Sequence, residues 1–134
     1  MVDPRYAAVV DVLGTYLDGL YHSDPGRLAR ALHPAARYVT ATDGTLVDLA
    51  MDEYLPIVAA RPSPAAAGAE RRDRILSIEF AGPVTAFARV ECAVPPRSFV
   101  DLLTLVALDG RWQIISKVFH YEVEAEAEEA SCPT

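Results

Sequence analysis

Residues 98–122 read SFVDLLTLVALDGRWQIISKVFHYE, and this stretch decides the fold. Two segments rich in β-branched and aromatic residues, 98–108 and 111–122, flank the pair Asp109-Gly110. Asp-Gly is a strong hairpin signal, because both central positions of a type I′ turn need positive φ. The stretch therefore predicts two long antiparallel strands joined by a tight turn.

The turn also predicts which side chains share a face of the sheet. With a two-residue turn, Leu108 lies opposite Arg111, and counting back along both strands makes Asp101 and His120 diagonal neighbours on one face. An aspartate beside a histidine can orient the imidazole and raise its basicity, so both are candidate catalytic residues. The alternative is a structural hydrogen bond that holds the strand ends together. A one-residue bulge would shift the register and separate the pair.

The rest of the chain predicts helices that precede a long antiparallel sheet. The spacing of apolar residues predicts helices at 4–22, 25–32 and 51–60. Strand patterns and turn residues predict a hairpin of 37–42 with 45–49 around Asp43-Gly44, and long strands at 72–81 and 84–94. On the first of these long strands we expect one face to carry Arg74, Leu76, Ile78 and Phe80. The order is typical of an α+β fold, in which a curved sheet over helices leaves a pocket at its open end.

Length and charge exclude several classes of protein. The chain has 134 residues, of which 51% are hydrophobic, which predicts one domain over residues 1–122 and an acidic, disordered tail over 123–134. Much of the net charge of −7 comes from glutamates at and after Glu122, so the body is close to neutral. We therefore expect neither nucleic acid nor a membrane as partner. No signal peptide, membrane-length apolar run or disulfide framework occurs, which favours a cytoplasmic protein.

Several short stretches resemble a known family. They are YLDGLY at 16–21 with His33-Pro34, DRILSI at 73–78, and FVD at 99–101 running through DGRWQI at 109–114 to KVFH at 117–120. On these the chain resembles the nuclear transport factor 2-like superfamily, which includes SnoaL-like polyketide cyclases and ketosteroid isomerases, and within it the bacterial "putative lumazine-binding" family. The resemblance covers about residues 5–122. It implies a cone-shaped, cystatin-like α+β barrel, a homodimer formed through the sheet, and a cavity for a small organic molecule.

Three functions stay open, because a fold of this kind hosts many activities. The first is binding of a small hydrophobic or carbonyl-bearing molecule by a pocket whose candidate residues are Tyr16, His33, Tyr38, Tyr54, Trp112 and Ser116. The second is a cofactor-free isomerase, cyclase or dehydratase in which His120 is the general base and Asp101 orients it. The third is a structural or interaction protein that dimerises through an outer sheet face carrying Leu102, Val106, Ile115 and Phe119.

Lys117 is the only lysine of the chain. If it were desolvated, it could act as a Schiff-base amine or as an anion anchor. Otherwise it is an outward cation on the dimer-facing surface, paired with Glu91 or Asp101, and nothing in the sequence indicates desolvation. No ligand spacing suits a metal and no nucleotide-binding motif occurs, so we expect no cofactor.

Overall fold

The computed structural model describes residues 3–124. Over this range the chain forms three helices and six strands. In chain order they are α1 (Pro4–His22), α2 (Pro25–Ala31), β1 (Leu32–Thr40), β2 (Val47–Ala50), α3 (Met51–Ala60), β3 (Arg74–Phe80), β4 (Thr85–Val94), β5 (Arg97–Leu108) and β6 (Arg111–Val123). None of the helices within this range is both long and apolar enough to cross a membrane.

Local capping explains where the first two helices begin. The side chain of Asp3 accepts a hydrogen bond from the backbone of Arg5 at the start of α1. Asp24 does the same for α2, accepting from the backbone N–H groups of Gly26 and Arg27. Caps of this kind satisfy backbone donors that have no partner inside a helix, as the sequence Asp24-Pro25 predicts.

The six strands form one sheet in the order β2-β1-β6-β5-β4-β3. Strands β1 and β6 are parallel, and every other neighbouring pair is antiparallel. The helices cover one face of this curved sheet, and the core between them is formed by residues such as Val9, Leu13, Leu28, Val58, Val90 and Leu103. The fold is therefore α+β, as predicted.

The hairpin between β5 and β6 has the predicted turn. Asp109 and Gly110 both have positive φ, at 53° and 75°, and Leu108 lies opposite Arg111. These are the signs of φ that a type I′ turn requires. The register predicted from this turn is correct for the half of the hairpin next to it.

A β-bulge changes the register in the other half. Leu105 pairs with Ile114, but the next residue, Thr104, pairs with Ser116, so Ile115 is an extra residue of β6. Because side chains alternate along a strand, one extra residue exchanges the two faces of everything beyond it. The predicted register of residues 116–122 against β5 is therefore wrong.

The exchange decides which residues of β6 point toward the helices. Lys117 and Phe119 are buried, with exposed fractions of 3% and 6%, whereas Val118 is 43% exposed and His120 is exposed. The sequence predicts Lys117 and Phe119 on the outer face of the sheet. Both predictions are wrong because the extra residue Ile115 turns these two side chains inward. The interior of the barrel thus receives a lysine in place of a histidine.

Two other predicted strands need smaller corrections. In β3, a register shift between Ile75 and Ser77 leaves Arg74 and Leu76 exposed, while Ile75, Ile78 and Phe80 pack on the core. The predicted face of this strand is thus correct only in its second half. The hairpin of β1 and β2 exists, but residues 41–46 connect it, a longer loop than the Asp43-Gly44 turn. The helix predicted to end at His33-Pro34 ends at Ala31, and β1 follows directly.

Strand β6 continues to Val123, one residue beyond the predicted end of the domain. Glu124 is held by its backbone N–H, which donates to the Pro96 carbonyl at 2.7 Å, and by an ion pair with Arg72 at 2.8 Å. The remaining part of the predicted acidic tail, residues 125–134, lies outside the described residues.

Candidate functional site

Two charged side chains are buried inside the barrel. Asp101 of β5 is fully buried, and Lys117 of the neighbouring β6 is 3% exposed. The bulge at Ile115 brings them to the same face, since it turns Lys117 inward beside Leu103, two residues along β5 from Asp101. Burying a charge costs several kcal/mol unless it is paired or hydrogen-bonded, so their surroundings need an account.

Asp101 is held by two neighbours on one of its oxygens. The Tyr16 hydroxyl, from α1, donates to Oδ2 at 2.5 Å, and the Cys92 thiol, from β4, donates to the same atom at 3.7 Å. The other oxygen, Oδ1, is buried and has no hydrogen-bond partner among residues 3–124. Burial and the negative charge of Asp101 raise the pKa of Tyr16 well above its ordinary value, so its hydroxyl remains a proton donor at neutral pH.

The Lys117 ammonium group lies in a cage of aromatic rings. Its Nζ is 5.1–5.9 Å from the centres of five rings, those of Tyr16, Tyr38, Tyr54, Phe99 and Phe119. Ring faces attract a cation, and this attraction is strongest where water is excluded. No carboxylate of the described chain lies within 4.0 Å of Nζ.

Two opposing effects set the pKa of Lys117. Burial lowers it, but the neighbouring Tyr54, Asp101 and Cys92 more than offset this, and the pKa ends above its ordinary value. The side chain is therefore an ammonium ion at neutral pH. It differs from the outward surface cation expected from the sequence in being enclosed on all sides by the core.

A small cavity, called the chamber below, adjoins this cage. It is lined by Leu20, Tyr38, Tyr54, Arg61, Cys92, Val94, Phe99 and Lys117. About 10 Å³ of it is open to the centre of a water molecule, which is room for about one water. Two of its lining residues have a polar atom that is buried without a hydrogen-bond partner in residues 3–124, the hydroxyl oxygen of Tyr54 and Nε of Arg61. Each such atom costs about 1–3 kcal/mol, so the chamber is short of hydrogen-bond partners.

A wider groove lies outside the chamber and has a volume of about 460 Å³. Two pairs of polar side chains lie within it, Arg74 with Glu91 at 3.4 Å and His120 with Glu122 at 3.3 Å, whereas Arg72 and Asp73 pair with residues that do not line it. Phe99 and Cys92 line both the groove and the chamber. Phe99, which is half-buried, therefore stands between the bulk solvent and the chamber.

Two of the residues predicted to bind ligand, Tyr38 and Tyr54, line this chamber, and a third, Tyr16, belongs to the adjoining cage. Tyr54 stacks on Tyr38, with ring centres 4.4 Å apart, and Tyr16 reaches the same cluster from α1. The tyrosines come from α1, β1 and α3, so the meeting of these elements over the sheet produces the site.

The other predicted residues lie elsewhere. His33 accepts a hydrogen bond from the Ala35 backbone at 2.9 Å, a local turn contact. Trp112 packs on Phe80, with ring centres 6.0 Å apart, near the hairpin end of the sheet. Ser116 lies opposite Thr104, an outward position that follows from the bulge.

His120 does not meet Asp101. Its ring nitrogens face Glu122, at 3.3 Å, and the Thr42 hydroxyl, at 3.5 Å, on the exposed side of the sheet. The predicted sharing of one face by Asp101 and His120 is wrong, because the extra residue at Ile115 turns His120 outward.

Sequence reasoning missed Lys117 as an interior residue, although a signal was present. Apolar residues alternate at Trp112 and Ile114, and aromatic residues alternate at Phe119 and Tyr121, which is the opposite parity. Such a change of phase within one strand indicates an inserted residue. Read with that insertion, the pattern places Lys117 among the inward side chains.

Comparisons with known proteins agree with this architecture. Residues 4–120 match the sequence model of the family described as "Putative lumazine-binding". A structure of an NTF-2 like protein of unknown function from Silicibacter pomeroyi DSS-3 superposes with a TM-score of 0.77, at 25% identity over 90% of this chain and 97% of that one. One from Methylobacillus flagellatus KT, also NTF2-like and of unknown function, gives 0.76 at 26% identity, covering 92% and 96%.

A protein with a named activity is also similar to this chain. It is the aldolase FrzH of Cladobotryum sp, which is 25% identical over 118 residues, or 87% of this chain and 90% of FrzH. A structure of a ketosteroid isomerase-like protein from Erwinia carotovora atroseptica shares the fold, with a TM-score of 0.67 at 13% identity, covering 86% of this chain and 94% of that one.

Proposed function

The chain belongs to the "Putative lumazine-binding" family of nuclear transport factor 2-like proteins, and from this premise we propose that it binds a small organic molecule bearing a carbonyl or carboxylate oxygen in the chamber. The observation that carries the proposal is the set of buried polar atoms without partners at the chamber, the Tyr54 hydroxyl and Arg61 Nε, beside the caged Lys117 ammonium. Buried groups of this kind are normally satisfied, so a ligand that supplies their partners gains affinity from them.

The charges and rings of the chamber support this chemical class. Lys117 and Arg61 both donate hydrogen bonds and carry positive charge, which favours an oxygen acceptor on the ligand. The stacked rings of Tyr38 and Tyr54 offer flat apolar contact to a planar molecule. The residues predicted from sequence that support this proposal are Tyr16, Tyr38 and Tyr54.

Entry requires a side chain to move, since the chamber has room for about one water. Phe99 is the residue best placed for this movement, because it lines both the open groove and the chamber. In this proposal the groove is the entrance and Phe99 is its inner wall. A ligand that displaces the Phe99 ring replaces the contacts between that ring and the cage with its own contacts to the cage.

Thermal unfolding with a matched pair of probes tests the binding proposal. We expect 4-hydroxybenzaldehyde to raise the Tm of the protein and 4-hydroxybenzyl alcohol, which lacks the carbonyl group, to raise it less. A probe at a hundred times its Kd stabilises the folded state by about 2.7 kcal/mol. The Lys117→Met variant should lose the difference between the two probes, and Arg111→Ala, far from the chamber, should keep it. Equal shifts for both probes in the unaltered protein would contradict the proposal.

A second candidate function is catalysis on a carbonyl compound, and a specific observation favours it. A relative that is 25% identical over most of this chain is named an aldolase. In this candidate the substrate opens the chamber toward Asp101, which does not line it in this structure, so that the free Oδ1 accepts a proton from the substrate while Tyr16 adjusts its hydrogen bond. His120, predicted as general base of an isomerase, cyclase or dehydratase, has no part in it. Asp101→Asn should abolish turnover and His120→Ala should preserve it; the reverse pattern would restore the original assignment.

We also propose that a second copy of the chain covers the outer face of the sheet. Phe87 and Val118 lie on that face and are 37% and 43% exposed. They lie on either side of β5, whose half-buried Leu102 is on the same face, and apolar side chains exposed on one sheet face mark an association surface. Light scattering should give the mass of a dimer for the unaltered protein and of a monomer for Val118→Glu; a monomer for both would contradict this assembly.

A further inference from the structure

The position of Lys117 is unusual for a binding site of this kind. It is the only lysine in the sequence, it is 3% exposed, and its Nζ borders a chamber with room for one water. A purely electrostatic anchor for an oxygen could equally be an arginine, of which the chain has eleven. A primary amine can do what a guanidinium cannot, which is to form a covalent bond to a carbonyl carbon.

We propose that Lys117 forms an imine with an aldehyde or ketone held in the chamber. This inference rests on the proposed function, since it takes the bound molecule to be a carbonyl compound and names the bond that it forms. It narrows the ligand class from any carbonyl or carboxylate oxygen to aldehydes and ketones, whose carbon is open to attack by an amine.

The step balances without any further reactant. The ammonium group first loses a proton, which leaves a neutral amine with a free electron pair. Because no carboxylate of the described chain lies within 4.0 Å of Nζ, the acceptor of this proton is the water for which the chamber has room. That pair attacks the carbonyl carbon, the C=O electron pair goes to oxygen, and a proton moves from the nitrogen to this oxygen to give a carbinolamine. The nitrogen electron pair then forms the carbon–nitrogen double bond, and the hydroxyl group leaves as water with the proton given up in the first step. The net change is ammonium plus carbonyl compound to protonated imine plus one water.

The surroundings favour the product of each step. The protonated imine is a cation, and the five rings around Nζ attract it as they attract the ammonium group. The fully buried carboxyl group of Asp101 balances its charge. The small volume of the chamber limits water, which would otherwise hydrolyse the imine.

The amine must be neutral to react, so the reaction depends on pH. The pKa of Lys117 lies above its ordinary value, hence the reactive fraction is small at pH 7 and grows about tenfold for each pH unit up to the pKa. The titratable and charged groups that face it are Tyr16 of α1, Tyr38 of β1, Tyr54 of α3, Arg61 after α3, Cys92 of β4 and Asp101 of β5. Of these, Asp101 is the only carboxyl group, and its oxygens lie more than 4.0 Å from Nζ.

Reductive trapping tests the proposal. The protein is incubated with 4-hydroxybenzaldehyde and sodium cyanoborohydride, which reduces an imine to a stable secondary amine, and the modified residue is identified by peptide mass mapping. We expect modification at Lys117, at a rate that increases about tenfold per pH unit between pH 7 and 9. Mapping separates this site from the α-amino group.

The single lysine allows a matched control. The double variant Lys117→Arg with Arg111→Lys keeps the composition and moves the lysine to an exposed position beside the hairpin turn. At low aldehyde concentration, Lys117 of the unaltered protein should be trapped at least about tenfold faster than the relocated lysine, because binding in the chamber holds the two reactants together. The comparison uses the unaltered protein as the positive case, so a misfolded double variant still supplies the rate of a free lysine.

Failure of the imine and failure of binding give different results. A Tm shift with the aldehyde but trapping at Lys117 no faster than at the relocated lysine would overturn the imine and leave the binding site. Neither a Tm shift nor trapping would overturn both. Trapping at Lys117 with the expected pH dependence supports both.

Discussion

The hydrogen bond from Tyr16 to Asp101 gives a prediction whose size follows from the structure. Both residues are fully buried, the bond is 2.5 Å long, and the only other partner of that carboxyl oxygen in residues 3–124 is the Cys92 thiol at 3.7 Å. Tyr16→Phe removes the hydroxyl and leaves the ring in place. Hydrogen bonds to charged groups contribute about 1.5–3 kcal/mol, and the unpaired carboxyl group adds to the loss, so we expect the free energy of unfolding to fall by about 2–3 kcal/mol.

Tyr54→Phe is the matched control for this change. It deletes the same atom from a tyrosine that is also buried, but the Tyr54 hydroxyl has no partner within the described chain. Its removal should leave stability unchanged or raise it by up to about 1 kcal/mol. Because the same chemical change is made at two buried sites, the difference between the variants isolates the hydrogen bond.

Urea unfolding followed by the fluorescence of Trp112 measures both changes. With about 4 °C in Tm per kcal/mol for a chain of this size, Tyr16→Phe should also melt roughly 8–12 °C below the unaltered protein. Equal destabilisation by both variants would mean that the ring environment, rather than the bond to Asp101, determines the effect. An unchanged free energy of unfolding in Tyr16→Phe would show that the hydrogen bond to Asp101 does not stabilise the fold.

Three further outcomes follow from single features of the fold. Gly19→Ala should lower the free energy of unfolding by about 1–3 kcal/mol, because the new Cβ would lie 2.7 Å from Leu28 Cδ2. Gly14→Ala in the same helix has no atom within 4 Å of its new Cβ and should raise the free energy of unfolding by about 0.5–1 kcal/mol. Urea unfolding measures both changes. Burial raises the pKa of the Cys92 thiol, so the thiol loses its proton at lower pH in the unfolded state, and the free energy of unfolding should fall as pH rises above about 9. In Cys92→Ala this fall should be shallower by up to about 1.4 kcal/mol per pH unit. Identical slopes in the two proteins would contradict this expectation. Phe99→Ala should increase the rate at which an aldehyde is reductively trapped at Lys117, measured by quenching the reaction at successive times. An unchanged rate would mean that Phe99 does not block the entry route.

The amino-acid sequence predicts this fold where local chemistry determines structure. Asp109-Gly110 predicts its turn because few other residue pairs accept positive φ at both positions. Asp24-Pro25 predicts the start of α2 because capping is a contact between near neighbours. These signals need no knowledge of the rest of the chain.

The bulge at Ile115 is not predicted, because no special residue marks it. The bulge is stabilised by packing, because it lets both halves of β6 bury their apolar side chains. Trp112 and Ile114 pack on one part of the core, and Phe119 packs on another. That requirement comes from tertiary packing, which a register counted from the turn does not include. Because of the bulge, the candidate site contains the buried Lys117 and not the exposed His120.

The parallel pairing of β1 with β6 was also absent from the prediction. Residues 33–36 begin with His-Pro and read as the end of a helix, yet β1 starts at Leu32, directly after α2. Long-range parallel pairing leaves little local trace, since its partner is about eighty residues away in the chain. The three tyrosines were named because buried phenols need partners, and that argument depends on chemistry rather than on register.

The place of β1 in the sheet has a consequence for synthesis on the ribosome. Its two neighbours are β2 and β6, so the early half of the sheet joins the later half only through the strand that is made after the other five. Until Val123 has left the exit tunnel, the nascent helices and the β1–β2 hairpin have no completed surface on which to pack, while β3 and β4 can already pair. We expect the native core to form abruptly once β6 is available for pairing, and the waiting hairpin to be the segment that chaperones contact.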